Sequence, residues 1–297
     1  MVDTYKMGLS RRRLLGLSAA GLGLLAANPA TLWAKSESSA NVGVQLYTLR
    51  DMMAKSVPET LKLVAGIGYK EVEFAGFFDQ KPADLRKILD GEGLSAPSGH
   101  VPLKTLQDDF ESALEAALIL DHKYVVVPYL DEKQRGDSID VYKKLAAQFN
   151  IWGEKCQKAG LRLAYHNHDF EFAAVDDQIP YDILLAETDP KHVWMELDLF
   201  WTVKAQQDPL KIFQAHPGRF PLWHLKDMDS DGKFADIGDG VIDFRKIYTG
   251  AAVAGLEHGF VEHDAPVDAA RTIRRGYAAM KDILTEGAKS GSVSKAV

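Results

Sequence analysis

Between Val42 and Leu284, short apolar runs alternate with longer stretches whose apolar residues recur at helical spacing. Val42–Leu46, Tyr69–Phe74, Leu94–Pro97, Tyr124–Val127, Leu161–His166, Val193–Leu197, Leu222–Leu225 and Gly259–Glu262 read as strands. Helical spacing falls in Val57–Ile67, Pro82–Leu89, Thr105–Leu120, Ser138–Ala159, Ile179–Glu187, Pro209–His216, Phe244–Ala254 and Asp268–Leu284. Pro82 sits near a first helical turn, and Gly160 follows a last one, as capping preferences ask. Eight strand–helix units in about 240 residues predict a single (β/α)8 TIM barrel. A doubly wound sheet would carry a Gly-rich phosphate turn after its first strand. Here that strand runs into Tyr47-Thr48-Leu49-Arg50.

The pattern before Val42 is different. Ser10-Arg11-Arg12-Arg13 precedes a mild apolar run, Leu14–Ala27, broken by Asn28-Pro29 and followed by Leu32-Trp33-Ala34. A basic segment, a short apolar segment and a small residue describe a signal peptide over 1–34. The arginines after Ser10 resemble a twin-arginine export signal, so a periplasmic or secreted protein is expected. The apolar run is too short to span a bilayer comfortably, and no membrane association is expected after cleavage. A linker (35–41), a catalytic barrel (42–285) and a flexible, small and polar tail (286–297) complete the expected organisation.

The whole chain carries a net charge of −7. The leader removes Lys6, Arg11, Arg12 and Arg13 against Asp3, so the mature protein is more acidic still. No Lys/Arg run follows the leader, which argues against a nucleic-acid partner. The single cysteine, Cys156, excludes an intramolecular disulfide and sits in a helical pattern, as a buried inert thiol would.

Chemistry gathers at the predicted strand ends, where TIM barrels place their active sites. Leu161–Phe172 (LRLAYHNHDFEF) begins as a buried strand and turns abruptly polar. Alternation sends His166 and His168 to one side, where two imidazoles can bind a metal or handle a proton. The other ends carry Glu71-Val72-Glu73, Ser98-Gly99-His100, Glu196-Leu197-Asp198, His224-Leu225-Lys226-Asp227 and Glu262-His263-Asp264. Taken singly, Glu71, Glu196 and Asp227 read best as capped loops or surface charges. Taken together, strands five to eight offer oxygen and imidazole donors suited to Mn²⁺, Co²⁺, Fe²⁺, Zn²⁺ or Mg²⁺.

The stretches GVQLYTLRD (43–51), GYKEVEF (68–74), YHNHDFEF (165–172), ELDLFWTVKAQQDP (196–209), FPLWHLKDMD (220–229), IGDGVIDF (237–244) and GFVEHDAP (259–266) resemble the sugar isomerase/epimerase family with a xylose-isomerase-like TIM barrel. The resemblance implies a divalent metal held by residues of strands five to eight. They fall on His166, Asp198, His224 and Glu262. His166 is a departure, because typical members read E-N-H where this chain reads His166-Asn167-His168. Family epimerases use two glutamates as bases on opposite faces of an enediolate. This chain keeps only Glu262 of that pair, which favours one-base chemistry. His168, Lys226 and His263 are the candidates for the second proton carrier. Glu73 and His100 are expected to hold sugar hydroxyls, and Trp201 to stack on a sugar face. Gly238-Asp239-Gly240 is expected to form a flexible loop over the barrel mouth.

The resemblance implies a metal-dependent isomerase or epimerase acting on a non-phosphorylated carbonyl sugar. Its rivals are a keto-sugar (3-keto-glycoside) lyase or hydratase on the same site, and a catalytically silent sugar-binding protein. An apurinic endonuclease shares the barrel but needs a basic face, which this acidic chain lacks. Homo-oligomerisation is left open.

Overall fold

The computed structural model describes residues 42–293, with side chains through Thr285. The expected leader and linker both lie outside the described residues. Eight parallel strands close into a barrel in chain order: Val42–Gln45, Glu71–Ala75, Ser95–His100, Tyr124–Val127, Arg162–His166, Val193–Asp198, Leu222–Leu225 and His258–Val261. The last pairs with the first, Val42 opposite Gly259 and Val44 opposite Val261. Among the described residues, no helix is long and apolar enough to cross a membrane.

The barrel interior follows from the two-residue period of a strand. Tyr124, Val126, Ala164, Leu222 and Phe260 form a buried apolar plug inside it, with Trp194 packed against them. The next inward positions on the same strands are His166, Glu196, His224 and Glu262, then Asp198 and Lys226. An apolar plug capped by ionisable side chains therefore needs no irregular backbone. Alternation alone produces it. The opposite strand faces carry Val125, Leu163, Met195, Leu197, Trp223 and Val261 into the main core beneath the helices.

The long helix Ile139–Lys158 shows how the outer layer is specified. The Ser138 side chain caps its first turn, and Tyr142, Leu145, Ala146, Phe149, Trp152 and Cys156 form its buried face. Gly160 stands just past its end at φ 82°, a conformation that favours glycine. Burial pushes the Cys156 thiol up to about 12, which makes it inert.

Several elements differ from the sequence expectation. The predicted helix over Thr105–Leu120 is two helices, Leu103–Asp108 and Phe110–Ile119. The break falls at Asp109, whose carboxylate caps the second by accepting from Ser112 N. Phe244–Ala254 divides likewise into Phe244–Tyr248 and Ala251–Ala254 around Gly250. A short helix, Leu199–Lys204, follows strand six directly, started by Asp198 accepting from Trp201 N at 3.0 Å. The last helix, Ala269–Val293, continues past Gly287, where a frayed tail was expected.

The glycine-containing loop is held down rather than free. Asp227 accepts backbone N–H groups from Met228, Gly238, Gly240 and Ile242 at 2.8–3.1 Å. Arg275 pairs with Asp239 from the last helix. A Cβ on Gly240 would come within 2.2 Å of Asp227 Oδ1, so only glycine fits there. Asp227 is thus the loop cap that the sequence suggests. Asp227→Asn turns one acceptor oxygen into a donor facing two N–H groups. It should lower the free energy of urea unfolding by about 3 kcal/mol. A loss below about 1 kcal/mol would show that this anchor is not what holds the loop.

Candidate active site

Strands two, three, five, six, seven and eight deliver a contiguous cluster of ionisable side chains to the barrel interior. His224 is central. Its Nδ1 lies 2.6 Å from Glu262 Oε2, and its Nε2 lies 2.6 Å from Glu73 Oε1 and 3.2 Å from Glu196 Oε2. Glu196 Oε2 also meets His100 Nε2 at 2.8 Å and His166 Nδ1 at 3.0 Å. Lys226 Nζ stands 2.9 Å from Asp198 Oδ2, 2.8 Å from Glu262 Oε2 and 2.8 Å from Asp264 Oδ1. Glu73, Glu196, Asp198 and His224 have no solvent exposure.

Charge balance in this cluster is one-sided. Glu73, Glu196, Asp198, Glu262 and Asp264 face Lys226 and the imidazoles His100 and His224. Burial opposes charge on these cations, but the carboxylates outweigh it. Glu73 and Glu196 raise His100 to about 9, and Glu196, Glu262 and Glu73 hold His224 well above its usual range. Asp198 and Glu262 likewise keep Lys226 an ammonium. Five carboxylates against three cations leave an excess of negative charge. Burial accordingly pushes Glu196 up to about 7 and Asp198 up to about 6. Glu262 stays ionised, since Lys226 and His224 overcome its burial.

That imbalance is what a divalent cation would correct. Asp198, His224 and Glu262 offer ligand atoms within 4.8 Å of one another, as do His100, His166, Glu196 and His224. Glu196 Oε1 is buried without a hydrogen-bond partner. The imidazole–carboxylate chemistry fits a first-row divalent metal. His166 Nε2 comes within 3.6 Å of Asp198 Oδ2, so it borders both groups. The ammonium of Lys226 competes with a metal for Asp198 and Glu262, and Asp264 offers it a partner outside that ligand set.

A cavity of about 450 Å³ opens over this cluster, lined by His100, His166, His168, Lys226, Glu262 and Asp264 together with Tyr47 and Tyr129. His168 packs against Tyr129, Phe170 and Trp201 at ring distances of 5.0–5.5 Å. Burial and the nearby Lys226 push its imidazole down to about 3, so it is neutral.

Not every expected residue reaches the cavity. Glu73 does not: Gln45 Nε2, Ser98 Oγ, His100 and His224 engage its carboxylate in the interior. Trp201 is absent from the lining and packs among His168, Phe200 and Phe234. His263 also lies off the cavity, its Nδ1 accepting from Ala265 N. Glu196, set aside in the sequence as a cap or surface charge, is instead at the centre. Its signal was its place two residues before Asp198, on the same inward face. Glu71 opens strand two rather than ending it, and pairs with His258.

Known proteins resemble this chain in sequence and, where a structure is solved, in fold. An inosose dehydratase from Geobacillus thermodenitrificans is 30% identical over 236 residues, covering 64% of this chain and 78% of that protein. One from Lacticaseibacillus casei is 25% identical over 241 residues, covering 69% and 80%. The crystal structure of a sugar phosphate isomerase/epimerase from Parabacteroides distasonis ATCC 8503 superposes with a TM-score of 0.70 at 26% identity, covering 86% of this chain and 98% of that one. The xylose isomerase-like TIM barrel model matches residues 61–276, the span that builds seven of the eight strands and all of the ionisable cluster. With the closed barrel and its ionisable interior, that match shows that the chain belongs to the xylose isomerase-like TIM barrel family.

Proposed function

We propose that this site abstracts the proton next to the carbonyl of a non-phosphorylated keto-sugar or cyclic polyol ketone and expels the oxygen substituent on the adjoining carbon. This is a lyase or dehydratase reaction. The observation that carries it is the pair in the cavity wall, Glu262 Oε2 at 2.8 Å from Lys226 Nζ. A carboxylate base and an ammonium acid side by side suit removal of a proton and protonation of a leaving oxygen. Glu262 takes the α-proton as the C–H bond breaks, the electron pair forms C=C, the C–O bond breaks, and Lys226 gives its proton to the departing oxygen. The relatives named inosose dehydratase support this reading.

A divalent metal held by Asp198, His224 and Glu262, with His166 beside them, would polarise the carbonyl and steady the developing oxyanion. His100 and His168, both in the cavity lining, hold hydroxyl groups. Lys226 is the one lysine or arginine among the lining residues and is already paired with three carboxylates, so the cavity offers no clamp for a phosphate. The second reading, isomerisation or epimerisation, is favoured by the likeness to the Parabacteroides protein. It uses the same proton abstraction and returns the proton to carbon.

The test incubates Mn²⁺- or Zn²⁺-loaded protein with free and glycosidic keto-sugars and inososes in deuterated water. Elimination yields an ultraviolet-absorbing unsaturated ketone and a released alcohol or water. An intact skeleton with deuterium at an inverted or shifted centre would overturn the lyase reading in favour of the second. Binding without exchange or turnover would overturn both in favour of a sugar-binding protein.

We further propose that the reaction takes place outside the cytoplasm, from the leader read over 1–34. Changing Arg11 and Arg12 together to Lys should leave precursor in the cytoplasm. Undiminished periplasmic yield would sink this.

A further inference from the structure

Each imidazole at the centre of this site shows two different faces. His166 turns Nδ1 to Glu196 at 3.0 Å and Nε2 toward Asp198 at 3.6 Å. His224 turns Nε2 to Glu73 at 2.6 Å and Nδ1 toward Glu262 at 2.6 Å and Asp198 at 3.9 Å. In both rings one nitrogen meets a carboxylate sealed in the barrel interior, and the other meets the carboxylate oxygens of the metal-ligand set. We propose that Glu196 and Glu73 are positioning residues: they fix the N–H of His166 and His224 on the inner side, so that His166 Nε2 and His224 Nδ1 present lone pairs to the cation. The inference rests on the divalent-metal reading of Asp198, His224 and Glu262.

The two carboxylates are built for such a role. Both are fully buried, so neither reaches substrate. Glu73 is locked from the other side by Gln45 Nε2 at 2.6 Å and by the Ser98 hydroxyl. His100 Nε2 spans them, 3.2 Å from Glu73 Oε1 and 2.8 Å from Glu196 Oε2. A carboxylate on the far nitrogen sets the tautomer of a ligating imidazole, holds its ring plane and raises its donor strength. The pairing also accounts for His166. An imidazole in that place needs a partner for its second nitrogen, and strand six supplies one directly across the sheet, where His166 and Glu196 are register partners.

The test is a double-mutant cycle read by Zn²⁺ affinity in chelator competition, with the visible spectrum of Co²⁺-loaded protein as an independent report on ligand geometry. E196Q and E73Q should each weaken Zn²⁺ binding about 10–100-fold, the usual consequence of losing such a partner. Both should alter the Co²⁺ spectrum, while far-UV circular dichroism of the metal-free proteins stays unchanged. In an H166A background, which keeps Asp198, His224 and Glu262, the effect of E196Q should shrink several-fold to what its 3.2 Å contact with His224 Nε2 contributes. E73Q, acting through His224, should keep its full effect there. If E196Q costs the same factor with and without His166, or if both glutamine variants bind Zn²⁺ like the parent, the positioning role is overturned while the metal reading stands. A parent protein that binds no Zn²⁺, Mn²⁺ or Co²⁺ overturns both.

Discussion

Glu262→Gln should lower kcat by about 10²–10⁴-fold, the range expected when a general base is lost. It should also abolish deuterium exchange at the carbon next to the carbonyl. An amide oxygen can still coordinate a metal, so much of the metal content should remain. The size of the effect follows from position. Glu262 lines the cavity beside Lys226, whereas Asp198, Glu73 and Glu196 are sealed beneath it. Lys226→Met should separate the two halves of the reaction. It removes the proton donor to the leaving oxygen but leaves the base, so exchange should survive while release of the leaving group falls. The two assays are run on the same protein, by mass spectrometry and by ultraviolet absorbance. Exchange at the parental rate in Glu262→Gln would remove Glu262 from the role of base. Unchanged product release in Lys226→Met would remove Lys226 from the role of acid.

The fold was legible because period two and helical spacing alternate so regularly that the eight strands read within a few residues of their final bounds. The breaks at Asp109 and Gly250 were not. Each lies inside a continuous apolar pattern, and only local capping and backbone geometry cut it. In the site, Asp198, His224, Lys226 and Glu262 were legible as strand-end residues on inward-facing positions. Glu196 was missed for a physical reason. Alone, a glutamate beside Leu197 and Asp198 looks like one more surface acid, and its meaning depends on His166, thirty residues earlier and its register partner across the sheet. Glu73 was found but misplaced. Its strand position shows that it points inward, but not that Gln45, Ser98 and His224 close over it. The loop with Gly238 and Gly240 was read as loose from its glycines, yet both donate backbone N–H groups to Asp227, Gly240 where a Cβ would clash with that carboxylate and Gly238 at φ 89°.

His166→Glu, which restores the residue typical of the family at strand five, should by itself destabilise the protein by about 3–5 kcal/mol. His166 is 2% exposed, and its Nδ1 lies 3.0 Å from Glu196 Oε2. The substitution sets one buried carboxylate against another and removes an imidazole partner from Glu196, in a cluster that already holds five carboxylates against three cations. Combining it with Glu196→Gln removes the like-charge contact and supplies an amide N–H to the introduced carboxylate. The double variant should therefore recover most of the lost stability, with a coupling of about 2 kcal/mol or more between the two sites in urea unfolding of the metal-free protein. Purely additive losses would show that His166 and Glu196 are energetically independent, and that charge pairing does not account for their joint presence. The same pair separates the two reactions open to this site. With a carboxylate restored at strand five, a second base stands across the cavity from Glu262, and the double variant should begin to invert the centre next to the carbonyl in deuterated water. If the parent already inverts that centre in both directions, a group other than a strand-five glutamate serves as the second base, and the one-base reading of Glu262 falls.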